Sequence, residues 1–408
     1  MTVMNILCLV VDRLHAGYLG ALGNSWIETP HFDRLASQSL LFEQALVDCP
    51  QLDLLYRSYW HGWHAMCPQP PAADRPSLVE LAGQQDMHTI LMADDSEIAG
   101  LPLAQSFAHR VHLNPPRRKR VAKAVEGTHL AGCVAQLVEQ IQTAQKPFFL
   151  WSHLASLGTV WDAPLDFRGQ YVEEGDPEPD DSAAVPRFAL GKNHDPDEVL
   201  RVVQAYAGQV TLLDACLGGL FEFLEESGRL SDTLLALISA RGLPLGENGQ
   251  VGPGDDALEG AVVQTPWLLR FPDGRGAAAR TQALVEPCDL WATLGEVVGG
   301  AERLPSPSGR SLVPLAQDEV DQVRDRLGLL GRDGAWAFRT PAWYLRQGER
   351  SELFTKPDDR WEVNDVAQRC PEVLDGLHAA FAEWRERLAS SELSDLTPLS
   401  QILITGPG

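Results

Sequence analysis

Apolar residues recur along this chain in two rhythms. Leu7 to Val11, Leu40 to Ala45, the MHTILMADD stretch around Ile90, Pro147 to Trp151 and Leu234 to Ser239 are short runs rich in apolar residues. Such runs, bounded by polar residues, read as strands buried on both faces of a parallel sheet. Between them the apolar positions fall three and four apart. Phe32, Leu35 and Ala36 do so within His31 to Ser39, and Tyr206, Val210, Leu213, Leu217 and Leu220 within Glu198 to Gly228. Ser77 to Gly83 and residues 129 to 145 also read as helices with one face turned inward. The alternation continues to about residue 300, after which closely spaced short strands precede an amphipathic helix from Pro371 to Leu388. The pattern predicts an α/β fold, with a mixed, mostly parallel central sheet flanked by helices over residues 1–310. A C-terminal α+β part, residues 311–408, carries a small antiparallel sheet.

The polar residues at the strand ends mark where chemistry would sit. Asp12 and Arg13 follow the first strand, Asp94 follows MHTILMA, and Ala240-Arg241 follow the strand ending at Ser239. Ligands of open α/β sheets bind beyond the carboxyl ends of the strands, so these positions line the expected mouth of a site. Residues 165–195, acidic and Pro-rich (EEGDPEPDDS), read as a long surface loop.

The run VVDRLHAGYLGALGN, followed by TPHFDRLASQSLLFEQA, resembles the amino-terminal signature of the sulfatase family within the alkaline-phosphatase superfamily. Later segments resemble the family in order. They are Tyr206-Ala207 with Val210 and Asp214, Ser239 with Gly242, Glu259-Gly260, Thr265-Pro266, and Asp289-Leu290 with Thr293-Leu294. The resemblance implies an alkaline-phosphatase/sulfatase-like fold over nearly the whole chain. It also implies four cation-ligand positions, occupied here by Asp12, Arg13, Ala240 and Arg241, of which only Asp12 keeps the family residue. The family nucleophile, a Cys or Ser converted to formylglycine, falls on Leu52, and the Pro, Ser and Arg after it fall on Leu54, Leu55 and Tyr56. Cys49 lies three residues off that register. The family's sulfate-holding Lys and His fall on Asp94 and Ser96, and its substrate-binding His on Gly158. A cation expected shortly before Glu259 is replaced by Asp255-Asp256.

These departures separate scaffold from chemistry. A hard cation wants six to eight oxygen ligands, and a leucine has no lone pair with which to attack. The expectation is therefore a pseudosulfatase with a degenerate site, needing no cofactor and holding no metal at Asp12, that acts by binding or assembly. Arg13 and Arg241 could form a receptor for a sulfated or phosphorylated small molecule, since guanidinium forks suit such oxygens. The favoured reading is an internal ion-pair network in which Asp12 and Asp94 neutralise them. A protein partner remains the other class of ligand. The alternative is a diverged sulfuric or phosphoric ester hydrolase using Asp53, His61, His64 or Cys49, although no complete triad is visible. His153, on its strand, reads as a core histidine.

Composition narrows the partners. The chain has 408 residues, with 33 Lys plus Arg against 56 Asp plus Glu, a net charge of −23 that disfavours nucleic acid. The one basic cluster, Arg117 to Arg120, follows two prolines and reads as a solvated loop. No run of eighteen apolar residues points to a membrane span, and the first apolar run reads as a core strand rather than a leader. Seven scattered Cys read as thiols of a reducing compartment, so the expected location is cytoplasmic.

Overall fold

A computed structural model describes residues 4–67, 76–145, 147–254, 257–299, 308–390 and 393–406. Its strands are β1 (Asn5–Val11), β2 (Leu40–Ala45), β3 (His88–Ala93), β4 (His109–His112), β5 (Phe148–Leu154), β6 (Phe188–Ala189) and β7 (Thr233–Ser239). They continue as β8 (Gln250–Val251), β9 (Trp267–Arg270), β10 (Ala279–Val285), β11 (Leu327–Leu330), β12 (Trp336–Arg339), β13 (Trp343–Gln347) and β14 (Ser351–Thr355). The main sheet runs β10-β2-β9-β7-β1-β5-β3-β4. β1 pairs in parallel with both β5 and β7, whereas β9 runs antiparallel to β7 and β2. This is the mixed, mostly parallel sheet expected from the apolar runs. The predicted strands Leu7–Val11 and Leu234–Ser239 are neighbours in it, in register from Leu7 with Leu235 to Val11 with Ser239.

The chain forms two compact units, each built from separate segments. One comprises Met1–Glu43, Asp86–Gly254 and Thr265–Arg280, and the other Gln44–Gln85, Asp255–Gln264 and Thr281–Gly408. In the first, every residue of β1, β5 and β7 is buried. Each fully buried large aliphatic side chain contributes about 1.5–3 kcal/mol. The helix Pro196–Glu226, opened by Asp195 accepting from the Asp197 N–H and by Pro196 at its first position, packs Tyr206, Val210, Leu213, Leu217 and Leu220 into the same core. Its length and composition would also suit a membrane span. In this fold, however, 72% of its most apolar window is buried, as in the core helix of a packed domain.

Two segments differ from the sequence reading. β5 extends to Leu154, past the predicted end at Trp151, because ladder pairing with β1 carries Ser152 and His153 into the buried sheet. The 165–195 segment is not a plain surface loop. It contains a short helix, Leu165–Gly169, and β6, which pairs with β8. Arg168, 1% exposed, organises the segment by donating to the carbonyls of Trp161 (2.6 Å), Ser182 (2.9 Å) and Asp180. Burial lowers its pKa to about 10. Arg168→Met should therefore destabilise the protein by roughly 1–3 kcal/mol, read from urea melts, because the buried Trp161 carbonyl and two part-buried ones lose their donor.

The second unit holds the antiparallel sheet β11-β12-β13-β14. The helix Pro371–Ser390 supplies Leu377, Phe381 and Trp384 to a core shared with Phe338, Trp343, Leu345 and Leu353. A Cβ at Gly328 on β11 would come within 2.4 Å of the Trp384 ring, so the strand needs glycine where the indole lies against it. All seven cysteines are free thiols.

Candidate functional site

The first strand delivers the site. Its ladder continues one residue past Val11, the Asp12 N–H donating to the Leu154 carbonyl at 2.8 Å, which fixes the carboxylate at the strand's end. β7 ends alongside at Ser239, whose hydroxyl donates to the Arg241 carbonyl at 2.8 Å and turns the chain. Arg241 then faces Asp12 as a two-pronged fork, with Nε 3.0 Å from Oδ1 and Nη2 2.6 Å from Oδ2. Arg13 Nε lies 3.7 Å from the same carboxylate. All three side chains are buried. Burial alone would raise the Asp12 pKa, but the Arg241 and Arg13 guanidiniums outweigh it and hold the carboxyl well below the usual range.

Arg13 has φ 65°, a left-handed conformation uncommon for a non-glycine residue. Its surroundings fix it there. The Tyr206 hydroxyl donates to the Arg13 carbonyl (2.7 Å) and accepts from the His15 N–H (2.8 Å). Arg13 Nη1 donates to the carbonyls of Gly254 (3.2 Å) and Gly242 (3.5 Å). A Cβ at Gly158 would stand 2.9 Å from Arg13 Cγ, so the arginine occupies room that only a glycine at 158 leaves. Beyond it, His15 Nε2 lies 3.6 Å from Glu247, whose pKa falls because His15 outweighs its burial.

The helical motif Tyr206…Asp214 thus has a structural explanation. Tyr206 braces the loop after β1, Gln209 accepts from the Ala163 N–H (2.9 Å), and Asp214 accepts from the N–H groups of His31 (3.2 Å) and Phe32 (2.8 Å) at the start of the helix Pro30–Ala36. Tyr206→Phe should cost about 1–3 kcal/mol by denaturant titration, because it leaves two buried backbone groups short of a partner.

Asp94 does not join Asp12 and the arginines. One of its oxygens accepts from the Ala155 N–H (2.6 Å), and the other lies 2.9 Å from His129 Nε2. Cys133 Sγ completes a trio, 3.4 Å from His129 Nε2 and 3.7 Å from Asp94 Oδ2. Sequence reading passed over His129 and Cys133, although their spacing of four on a predicted helix places both on one face. His153, in register with Val10 and Ala93, is buried. Burial lowers its pKa, against the pull of Asp12 and Asp94.

The remaining sequence candidates lie in the second unit. Leu52 opens the helix Leu52–His61 and is buried, whereas Asp53 is exposed in its first turn. His61 stacks on Trp63 at 5.1 Å. His64 is buried, 2.9 Å from the Gly328 carbonyl and 3.5 Å from Glu286. Cys49 is buried, and desolvation pushes its thiol up to about 12. Asp255 and Asp256 lie outside the described residues.

The polar cluster lies beyond the carboxyl ends of parallel strands in a mixed α/β sheet, where proteins of this class bind their ligands. The family model described as "Sulfatase" matches residues 4–300, and the chain belongs to the sulfatase family. Iduronate 2-sulfatase of Mus musculus is 25% identical, over 75% of this chain and 71% of that protein. The multifunctional alkaline phosphatase superfamily protein PehA of Trinickia caryophylli is 30% identical over 141 residues, which span 34% of this chain and only 26% of PehA. The phosphonate monoester hydrolase of Agrobacterium radiobacter has the same fold, with a TM-score of 0.74 at 15% identity and 96% of each chain covered.

Proposed function

We propose that this sulfatase-family protein is a pseudosulfatase that does not hydrolyse esters and acts by binding or assembly. One observation carries the reading: the Arg241 guanidinium engages both oxygens of Asp12, the one carboxylate left among the four family cation-ligand positions. A divalent cation there would need those oxygens and several more, and Ala240 offers no side-chain donor. Arg13 adds a second positive group 3.7 Å from the carboxylate. The replacements fit one another. Gly158, where the family has its substrate-binding histidine, makes the space that Arg13 fills.

The nucleophile position supports the same reading, since Leu52 is aliphatic and buried. A diverged hydrolase would need another activated group, and the buried Cys49 thiol stays protonated near neutral pH. Both guanidiniums already have protein partners, which favours an internal ion-pair network over an open anion receptor. A sulfated or phosphorylated molecule, or a protein, would then be recognised elsewhere on the surface.

The test is an assay of the purified protein against aryl sulfate, phosphate mono- and diesters and a phosphonate monoester. Rates should equal the buffer background. Turnover that disappears in Asp12→Ala would overturn the proposal. Gly158→His, which restores the family residue, should lower the melting temperature by displacing Arg13 and should not create activity.

A further inference from the structure

The geometry points to a zinc(II)-class metal site formed by Asp94, His129 and Cys133. It lies at the carboxyl end of β3, with β5 between it and the strand that carries Asp12, and uses none of the family's cation positions. The three donor atoms all lie within 4.8 Å of one another. Asp94 and Cys133 are each 1% exposed, and the His129 side chain is 8% exposed.

Convergence distinguishes this trio from a catalytic relay. In a Cys-His-Asp relay the sulfur and the carboxylate contact opposite nitrogens of the ring, so that a proton can pass through it. Here Asp94 Oδ2, at 2.9 Å, and Cys133 Sγ, at 3.4 Å, both approach the same nitrogen, His129 Nε2. One imidazole nitrogen carries at most one hydrogen, so it serves only one of the two, and without an ion the Cys133 thiol donates to Asp94 instead. A cation among the three atoms would satisfy all of them together.

The edge lengths fit. Around a tetrahedral zinc with N and O at about 2.0–2.1 Å and S at about 2.3 Å, ligand atoms stand roughly 3.3–3.6 Å apart. The distances here are 2.9, 3.4 and 3.7 Å, so only the N–O edge has to open slightly. The ligands are also held in place. The Ala155 N–H fixes the other Asp94 oxygen at 2.6 Å, and the His129 backbone N–H is anchored on Asp162 at 2.9 Å. Such outer contacts set ligand orientation in metal sites. His129 and Cys133, four apart on the helix His129–Thr143, present both donors from one face. A thiolate, an imidazole and a carboxylate together favour zinc over calcium or magnesium. The protein supplies three ligands, and water takes the fourth place next to the partly exposed imidazole. The ion would clip this helix to the end of β3.

Cobalt(II) titration of tag-free, chelator-treated full-length protein tests the site. Wild type should take up one equivalent, with a thiolate-to-cobalt charge-transfer band and the intense visible bands of tetrahedral cobalt. Zinc should abolish both. Cys133→Ser, close in shape, should remove the charge-transfer band, and His129→Gln should weaken zinc binding at least tenfold. Circular dichroism checks that each variant is folded, and Asp12→Ala should leave the titration unchanged. The proposal is overturned if folded wild type gives no thiolate band, or if the band survives in Cys133→Ser. Neither result bears on the absence of hydrolysis, which rests on Asp12 and Arg241.

Discussion

Arg241→Ala should destabilise the protein by about 3–5 kcal/mol at neutral pH, because it strips a buried carboxylate of its two-pronged partner. Asp12 is 3% exposed, and only Arg13, 3.7 Å away, remains of the described cationic contacts. The pH dependence follows from the direction of the shift. In the wild type the Asp12 pKa is depressed on folding, so the unfolded chain takes up the proton first. Its contribution is therefore present above the unfolded carboxylate value, about 3.9, and is lost only as pH falls toward the folded value. In Arg241→Ala burial raises the Asp12 pKa with less to oppose it, so protonation relieves the variant. The gap between variant and wild type should shrink as pH falls through the carboxylate range. Urea melts at several pH values measure it. The double variant Asp12→Ala/Arg241→Ala should lose less than the sum of the single changes, the signature of direct coupling. Additive losses would mean that the fork does not stabilise the fold.

Arg324→Ala should be comparably damaging, again by roughly 3–5 kcal/mol, for the same reason in the second unit. Arg324 donates from both terminal nitrogens to Asp289 and lies 3.4 Å from Glu286, and both carboxylates are buried. Burial alone raises the Glu286 pKa, and Arg324 is the main group opposing it. Asp289 also accepts from the Glu286 N–H (2.9 Å) and the Arg310 N–H (2.7 Å), and Thr293 accepts from the Leu312 N–H (2.9 Å). The Asp-Leu-x-x-Thr-Leu pattern is therefore a device for tying a helix start to the chain that follows. Without Arg324, two buried carboxylates face each other with less to neutralise them and the helix start loosens. A melting temperature within a few degrees of wild type would contradict this.

The scaffold was legible because its signals are local. A short apolar run bounded by polar residues, such as Leu7–Val11, reads as a buried strand, and the 3.6-residue period within Glu198 to Gly228 reads as a helix. Motifs that resemble the sulfatase family also located Asp12, Arg13 and Arg241 at strand ends. Their pairing was not legible, since β1 and β7 are more than two hundred residues apart and only the sheet order makes them neighbours. Sequence reading placed Asp94 with the arginines, whereas the helix His129–Thr143 brings His129 and Cys133 to it instead. The segment make-up of the two units likewise depends on contacts between residues far apart in sequence. Residues 44–85 look continuous with the first strands, yet they belong with the C-terminal segments.

Arg241 standing in for the family cation, as proposed, leaves no place for a divalent ion at Asp12. Equilibrium binding of calcium and of magnesium to wild type, Asp12→Ala and Cys133→Ser tests it most directly. Wild type should bind no stoichiometric calcium or magnesium, and Asp12→Ala should be indistinguishable from it. About one ion per chain, lost in Asp12→Ala and kept in Cys133→Ser, would contradict it.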